Sequence, residues 1–176
     1  AEEAALAGLP PSAVAAARQS AEAKGREGWR FTLQQPSLLA VMTYLDDASI
    51  RERFYRAQNH VGVPEPYGNF ALVEQIVALR AEKAALLGYG SFADLTLDDR
   101  MAHTGSRAME FLRELEARSR AAFEREAAAL QAFRDDLEGN ASKPLAPWDI
   151  AYYAEKLRQA EFEFDEEALR PYFPLP

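Results

Sequence analysis

Trp148, Asp149, Tyr152 and Tyr153 fall within six residues, in PWDIAYYAEK, and form the densest set of polar-tipped aromatic side chains in the chain. An indole, two phenols and a carboxylate on one short segment can contact a ligand. Aromatics at helical spacing more commonly pack in a core or an interface, because each buries a large apolar body while keeping one polar tip satisfied. Pro147 suits a first helical position, since it has no N–H to leave unpaired and its φ is already helical. Trp148 and Tyr152 are four apart, as are Asp149 and Tyr153, so each pair is expected on one helix face. Asp149 falls in the first turn, where the helix dipole favours a carboxylate.

Other residues capable of chemistry are sparse. His60 sits in a Gly/Pro loop and His103 follows an expected helix end, and neither has a second His four residues on. The helical metal pair of the H-E-x-x-H type is therefore absent, and both read as surface or capping residues. There is no G-x-S-x-G elbow, no Walker loop and no G-x-G-x-x-G. GYGS at 88–91 follows a helix rather than a strand and reads as a C-cap and turn. The acidic run EFEFDEE, 161–167, can be drawn as a metal or acid–base cluster; the plainer reading is a solvated segment in which Asp165 caps a short helix over EEALR. Residue types and spacing by themselves point to a helical domain with no identifiable catalytic site.

The elements that must position these residues are almost all helical. Residues 9–24 predict an Ala-rich helix capped by Ser12, ended by Gly25 and Gly28. In GWRFTLQQP, Trp29, Phe31 and Leu33 alternate with Arg30, Thr32 and Gln34, which predicts a strand stopped by Pro36. No second convincing strand exists to pair with it, so its partner is expected outside these 176 residues. Ser37 to Leu45 predicts a short apolar helix, and Asp46 or Asp47 can cap the next one, with Ile50, Phe54 and Ala57 at helical spacing. The loop 59–69, with two Gly and two Pro, is the clearest break. Asn69 is expected to cap a helix carrying Leu72, Ile76, Leu79, Ala84 and Leu87 and closed by Gly88, and Ser91 to cap a short piece after it. The longest helix runs from about Ser106 to Glu138 on a stripe of Ala108, Leu112, Leu115, Ala122, Leu130, Phe133 and Leu137. Glu114–Arg118 and Glu116–Arg120 are i,i+4 pairs in the favourable order. Gly139-Asn140 ends it.

Composition narrows the function classes. With 48% hydrophobic and 27% charged residues the chain has a globular profile. A formal charge of −8 gives no general attraction for phosphate backbones, which disfavours nucleic-acid binding. With no cysteine there is no disulfide, thiolate nucleophile or Cys-ligated zinc. The first residues lack the basic and apolar regions of a signal peptide, and no run approaches the roughly 18 apolar residues of a membrane span.

PWDIAYYAEK followed by LRPYFP strongly resembles the oligopeptidase A and thimet oligopeptidase family of zinc-dependent peptidases. GLPPSAVAAARQSAEAKGREGWRFTLQQPSLLAVMTYLDD is similar to the family's segment ahead of its helical core. RERFYRAQN and NFALVEQIVALRAEKAALLGYGSFADLTLDDRMA are similar to its next two blocks. The match runs in family order from Gly8 to Pro174, with loop 59–68 shorter than expected and 139–146 variable.

The resemblance implies a mainly α, multi-helix domain with one or two short strands, part of a two-lobed peptidase built around a deep, narrow channel. Family members cleave short peptides with one zinc, held by two His of an H-E-x-x-H helix and a downstream Glu. No position here matches those residues, so the expectation is zinc in the full-length enzyme and none bound by this chain. The expected division is 1–36 as lead-in helix and strand, 37–138 as helical non-catalytic lobe, and 139–176 as linker and helix toward a catalytic lobe. The first residue, Ala rather than Met, and the uncapped YFPLP end fit a fragment. The expected role is a channel wall, inactive alone and cytoplasmic, with Trp148, Asp149, Tyr152 and Tyr153 as substrate-channel candidates and no catalytic or metal residue. Expected partners are short peptides and the catalytic half of the same polypeptide, with no nucleic acid, no membrane, and dimerisation through a face exposed by truncation. The alternative from another class is a stand-alone helical protein-interaction module without enzymatic activity.

Overall fold

The computed structural model describes residues 3–139, 143–162 and 172. Its α-helices are α1 (Pro11–Glu22), α2 (Gln35–Tyr44), α3 (Ala48–Asn59), α4 (Phe70–Leu86), α5 (Phe92–Leu97), α6 (Gly105–Glu138) and α7 (Ile150–Phe162), preceded by a 3-10 turn at Glu3–Leu6. The protein is thus mainly helical. The helix expected over EEALR, with its cap Asp165, lies outside the described residues.

Helix starts follow local hydrogen-bond chemistry, with corrections to the expected caps. Helix α1 begins with Pro11 behind an extended Pro10, so proline geometry rather than Ser12 sets its start. Asp47 caps α3 as expected, accepting from the N–H groups of Ser49 at 2.8 Å and Ile50 at 3.3 Å. Asn69 precedes α4 but makes no side-chain cap bond. Ser91 caps α5, its Oγ accepting from the Asp94 N–H at 3.1 Å. Asp94 in turn accepts from the Gly105 N–H at 2.8 Å, which ties the start of α6 to α5.

The strand expected over 29–34 does not form; among the described residues there is no strand. The Arg30 N–H donates instead to the carbonyl of Ala17 at 2.9 Å, and the Thr32 N–H to Ser37 Oγ at 2.8 Å. An isolated extended segment has no ladder to join, so helix α1 and a side chain take up its donors. Pro36 does not stop a strand; it lies inside the first turn of α2, where a missing N–H costs nothing.

The chain divides into two compact units, residues 1–60 with 128–176, and residues 61–127. In the first, α2 packs against α1, α3 and α7, and Leu6, Ala17, Ala21, Leu38, Val41, Leu45 and Tyr153 are buried. The turn at Gly8, at φ +87, closes against the end of α2; a Cβ there would lie 2.2 Å from the carbonyl oxygen of Tyr44. The Asp46 N–H donates to the Ala7 carbonyl at 2.9 Å beside it. In the second unit α4 packs on α5, with Ala84 buried and the Arg80 guanidinium 5.1 Å over the Phe92 ring. Helix α6 spans 34 residues, about 50 Å at 1.5 Å per residue.

Candidate functional site

Three of the four candidates, Trp148, Asp149 and Tyr152, converge with the segment that follows α2 on one buried arginine of α3, while Tyr153 reaches Glu138 at the end of α6. Arg51 is 1% exposed. Its Nη1 donates to the carbonyls of Leu45 at 2.6 Å and Asp46 at 3.0 Å, and its Nε to the carbonyl of Trp148 at 3.2 Å. Nη2 donates to Asp149 Oδ1 at 2.7 Å. The guanidinium also lies 4.1 Å over the ring of Tyr152. Burying a cation is costly unless its donors are satisfied, and the planar fork of arginine lets one side chain serve several acceptors at once.

Pro147 lies in a turn before α7 rather than at its first helical position. Asp149 immediately precedes the helix, its carbonyl accepting from the Tyr153 N–H at 3.0 Å. Its carboxylate turns away from the helix to Arg51, with Oδ2 accepting from the Ala146 N–H at 3.4 Å. Trp148 packs on α3 instead of on Tyr152: its ring is 5.9 Å from that of Tyr55 and 5.4 Å from the Arg56 guanidinium. The i,i+4 stacking expected for Trp148 and Tyr152 gives way to packing on α3, because Trp148 lies in the turn before the helix. Asp149 and Tyr153 are joined by the first helical hydrogen bond, while the Asp149 carboxylate goes to Arg51.

Tyr152 and Tyr153 meet edge to face at 5.1 Å. The Tyr152 hydroxyl donates to Asp46 Oδ1 at 2.8 Å, and Lys156 Nζ stands 3.8 Å from the same oxygen. Burial and the Asp46 carboxylate push the Tyr152 hydroxyl well above the usual phenol range. Tyr153 is buried and donates to Glu138, and desolvation followed by that carboxylate raises it too. Arg134, 6% exposed, bonds Asp135 and Glu138 and the carbonyl of Lys143, while Gln131 Oε1 accepts from the Leu145 N–H at 2.7 Å. These contacts hold the lead-in to α7 against the end of α6.

Sequence spacing missed Arg51, Asp46, Arg134 and Glu138, the charged partners of the four candidates. One signal was available: Arg51 falls beside the Ile50–Phe54 stripe of α3, where an exposed arginine is not expected.

The arrangement fixes a backbone junction and leaves no free reactive pair. Asp149 is committed to a guanidinium, and the two phenols donate to carboxylates and are held protonated, the form least able to act as bases. No metal donor set is present: among the described residues no three His, Cys, Asp or Glu side chains cluster. His60 Nδ1 faces the Arg56 carbonyl at 2.8 Å, and His103 Nδ1 faces the Asp98 carbonyl at 3.2 Å. The described residues assemble no donor set that fits zinc. A cleft of about 260 Å³ between α1, α2 and residues 30–34 is walled by small and neutral side chains, and its one charged residue, Arg30, donates to Ser20 Oγ at 2.9 Å. Among the described residues no helix is long and apolar enough to cross a membrane.

The described residues form a mainly helical module whose elements are joined through the buried Arg51 and Arg134. The family is specific: the chain belongs to peptidase family M3, whose model matches residues 41–176. It is similar to oligopeptidase A of Salmonella typhimurium, 43% identical over 178 residues, covering 98% of this chain and 26% of that protein. An organellar oligopeptidase A of Arabidopsis thaliana is 36% identical, covering 96% of this chain and 22% of the relative. A dipeptidyl carboxypeptidase of Escherichia coli is 32% identical, at 97% and 25%. The chain thus spans about a quarter of the length of these relatives.

Proposed function

We propose that this chain is the non-catalytic helical portion of a cytoplasmic, zinc-dependent oligopeptidase that hydrolyses short peptides. In that enzyme it forms a wall of the substrate channel in a two-lobed molecule, and alone it is inactive. The observation that carries the reading is the family match along 98% of the chain to a protein of which it covers 26%. Zinc is held by residues outside this chain, because the histidines here lie on separate loops beside backbone carbonyls. Residues 1–36 act as lead-in, 37–138 as the non-catalytic lobe and 139–176 as the passage to the catalytic lobe. Trp148 and Tyr152 border the channel through their partly exposed rings, with Asp149 and Tyr153 fixing them from behind. Such a wall works sterically: it admits unfolded peptides and excludes folded proteins, which requires rigid placement rather than reactive groups.

The test uses the full-length gene product, assayed on short peptides and on a folded protein with and without a chelator, beside the 176-residue chain. Expected are chelator-sensitive cleavage of short peptides by the parent, no cleavage of the folded protein, and neither zinc nor turnover in the chain. Stoichiometric zinc or turnover in the chain alone would overturn the reading. The second reading, a stand-alone interaction module, is favoured by the apolar surface that α4 leaves exposed. A reading frame that stops at Pro176 supports it; one that continues to an H-E-x-x-H removes it.

A further inference from the structure

Helix α4 is apolar around more of its circumference than a one-sided helix needs. At 100° per residue, one row of Leu72, Leu79 and Leu86 and another of Phe70 and Val77 bound an arc of about 200°, with Ile76 and Val73 between them. Lys83 and Arg80 also fall inside the arc, Arg80 laid over the Phe92 ring of α5. A helix resting on a core needs a stripe of roughly 100°. Helix α5 buries Ala84 but leaves both rows open, with Val77 60% and Leu79 63% exposed.

We infer that α4 is an interior helix of the longer polypeptide, gripped on two sides by apolar helix faces from segments outside this chain. This rests on reading the chain as part of a longer protein. The relatives supply such segments, since this chain accounts for 26% of oligopeptidase A. A second copy is the weaker occupant. A two-fold pair of α4 helices buries one self-complementary face, and two rows about 160° apart on the helix cannot both lie in it.

The experiment uses the full-length parent carrying, one at a time, Val77→Cys, Leu79→Cys and Glu82→Cys. These 176 residues contain no native cysteine, so the introduced one is their sole thiol, read by mass spectrometry of the peptide after maleimide labelling. Cysteines at 77 and 79 are expected to label at least about tenfold more slowly than the one at 82, and all three equally in urea; a tenfold ratio corresponds to about 1.4 kcal/mol of protection. Rapid labelling at either apolar position overturns the inference, and so does protection that disappears when the parent is diluted to monomer. If a variant fails to fold, hydrogen exchange of the unmodified parent decides: amides of 72–86 are expected among the slowest, and fast exchange there overturns it. A gene product whose measured mass is that of these 176 residues would instead sink the fragment reading, before any labelling is done.

Discussion

Arg51 sits where the first sixty residues meet α7, and its surroundings set the cost of losing it. Replacing it with Met would strand the Asp149 carboxylate and the carbonyls of Leu45, Asp46 and Trp148. Removing one partner of a buried ion pair typically costs about 3–5 kcal/mol. Urea unfolding of Arg51→Met is expected to show a loss of that size, and addition of Asp149→Leu should restore part of it. A loss under about 1 kcal/mol would mean that water reaches the guanidinium. Gly8 is a second sensitive position. Gly8→Ala combines a φ of +87 with a Cβ lying 2.2 Å from a carbonyl oxygen, and is expected to lower stability by about 1–3 kcal/mol. The phenols give a pH signature. The folded value for Tyr152 lies above the ordinary 10.0, so its contribution is complete below pH 10 and is lost as pH rises through the folded value. Alkaline titration followed by tyrosinate absorbance should show late-titrating phenols, Tyr152 and Tyr153 among them, with the late amplitude reduced by one phenol in Tyr152→Phe. The candidates themselves were legible because aromatic and acidic residue types crowd one segment. Their partners were not, because Arg51 and Tyr152 come together across more than ninety intervening residues and no local pattern encodes that.

At the scale of elements, helices were readable from apolar periodicity and cap chemistry, and Asp47 and Ser91 perform as their types require. Ser91→Ala is expected to cost about 1 kcal/mol, checked by thermal unfolding, with Ser91→Thr largely neutral. The exposed Glu114–Arg118 and Glu116–Arg120 pairs should matter little: Glu114→Gln with Glu116→Gln is expected to change stability by less than about 1 kcal/mol. The failed strand at 29–34 shows the limit of period-two patterns. Alternation states which face would be apolar, but hydrogen-bond partners decide whether a strand exists, and here α1 and Ser37 take the donors. Pro36 illustrates the same ambiguity, since a proline that ends one element is equally suited to open the next.

For the whole molecule, the helical class followed from composition and periodicity, and the boundary at 60/61 falls in the loop 59–69 that Gly and Pro mark as a break, while the boundary at 127/128, inside α6, carries no such mark. The first unit combines residues 1–60 with 128–176, a return of the chain that packing of α2 on α7 fixes and that no local pattern encodes. Helix α4, polar in sequence at Glu74, Gln75 and Glu82 yet leaving large apolar side chains open, is expected to make the isolated chain self-associate. Sedimentation should show mass rising with concentration, and Leu79→Glu should suppress it. A strict monomer at high concentration would count against that surface being sticky.

The split layout of the first unit also sets an order of events during synthesis. Arg51 leaves the ribosome 98 residues ahead of Asp149, its carboxylate partner. At roughly 5–20 residues per second, that is about 5–20 s during which α1, α2 and α3 exist without the helix that completes them. Over that interval the nascent N-terminal segment exposes an unpaired cation and the face of α2 that α7 will cover. Slower translation between positions 60 and 150 lengthens that exposure.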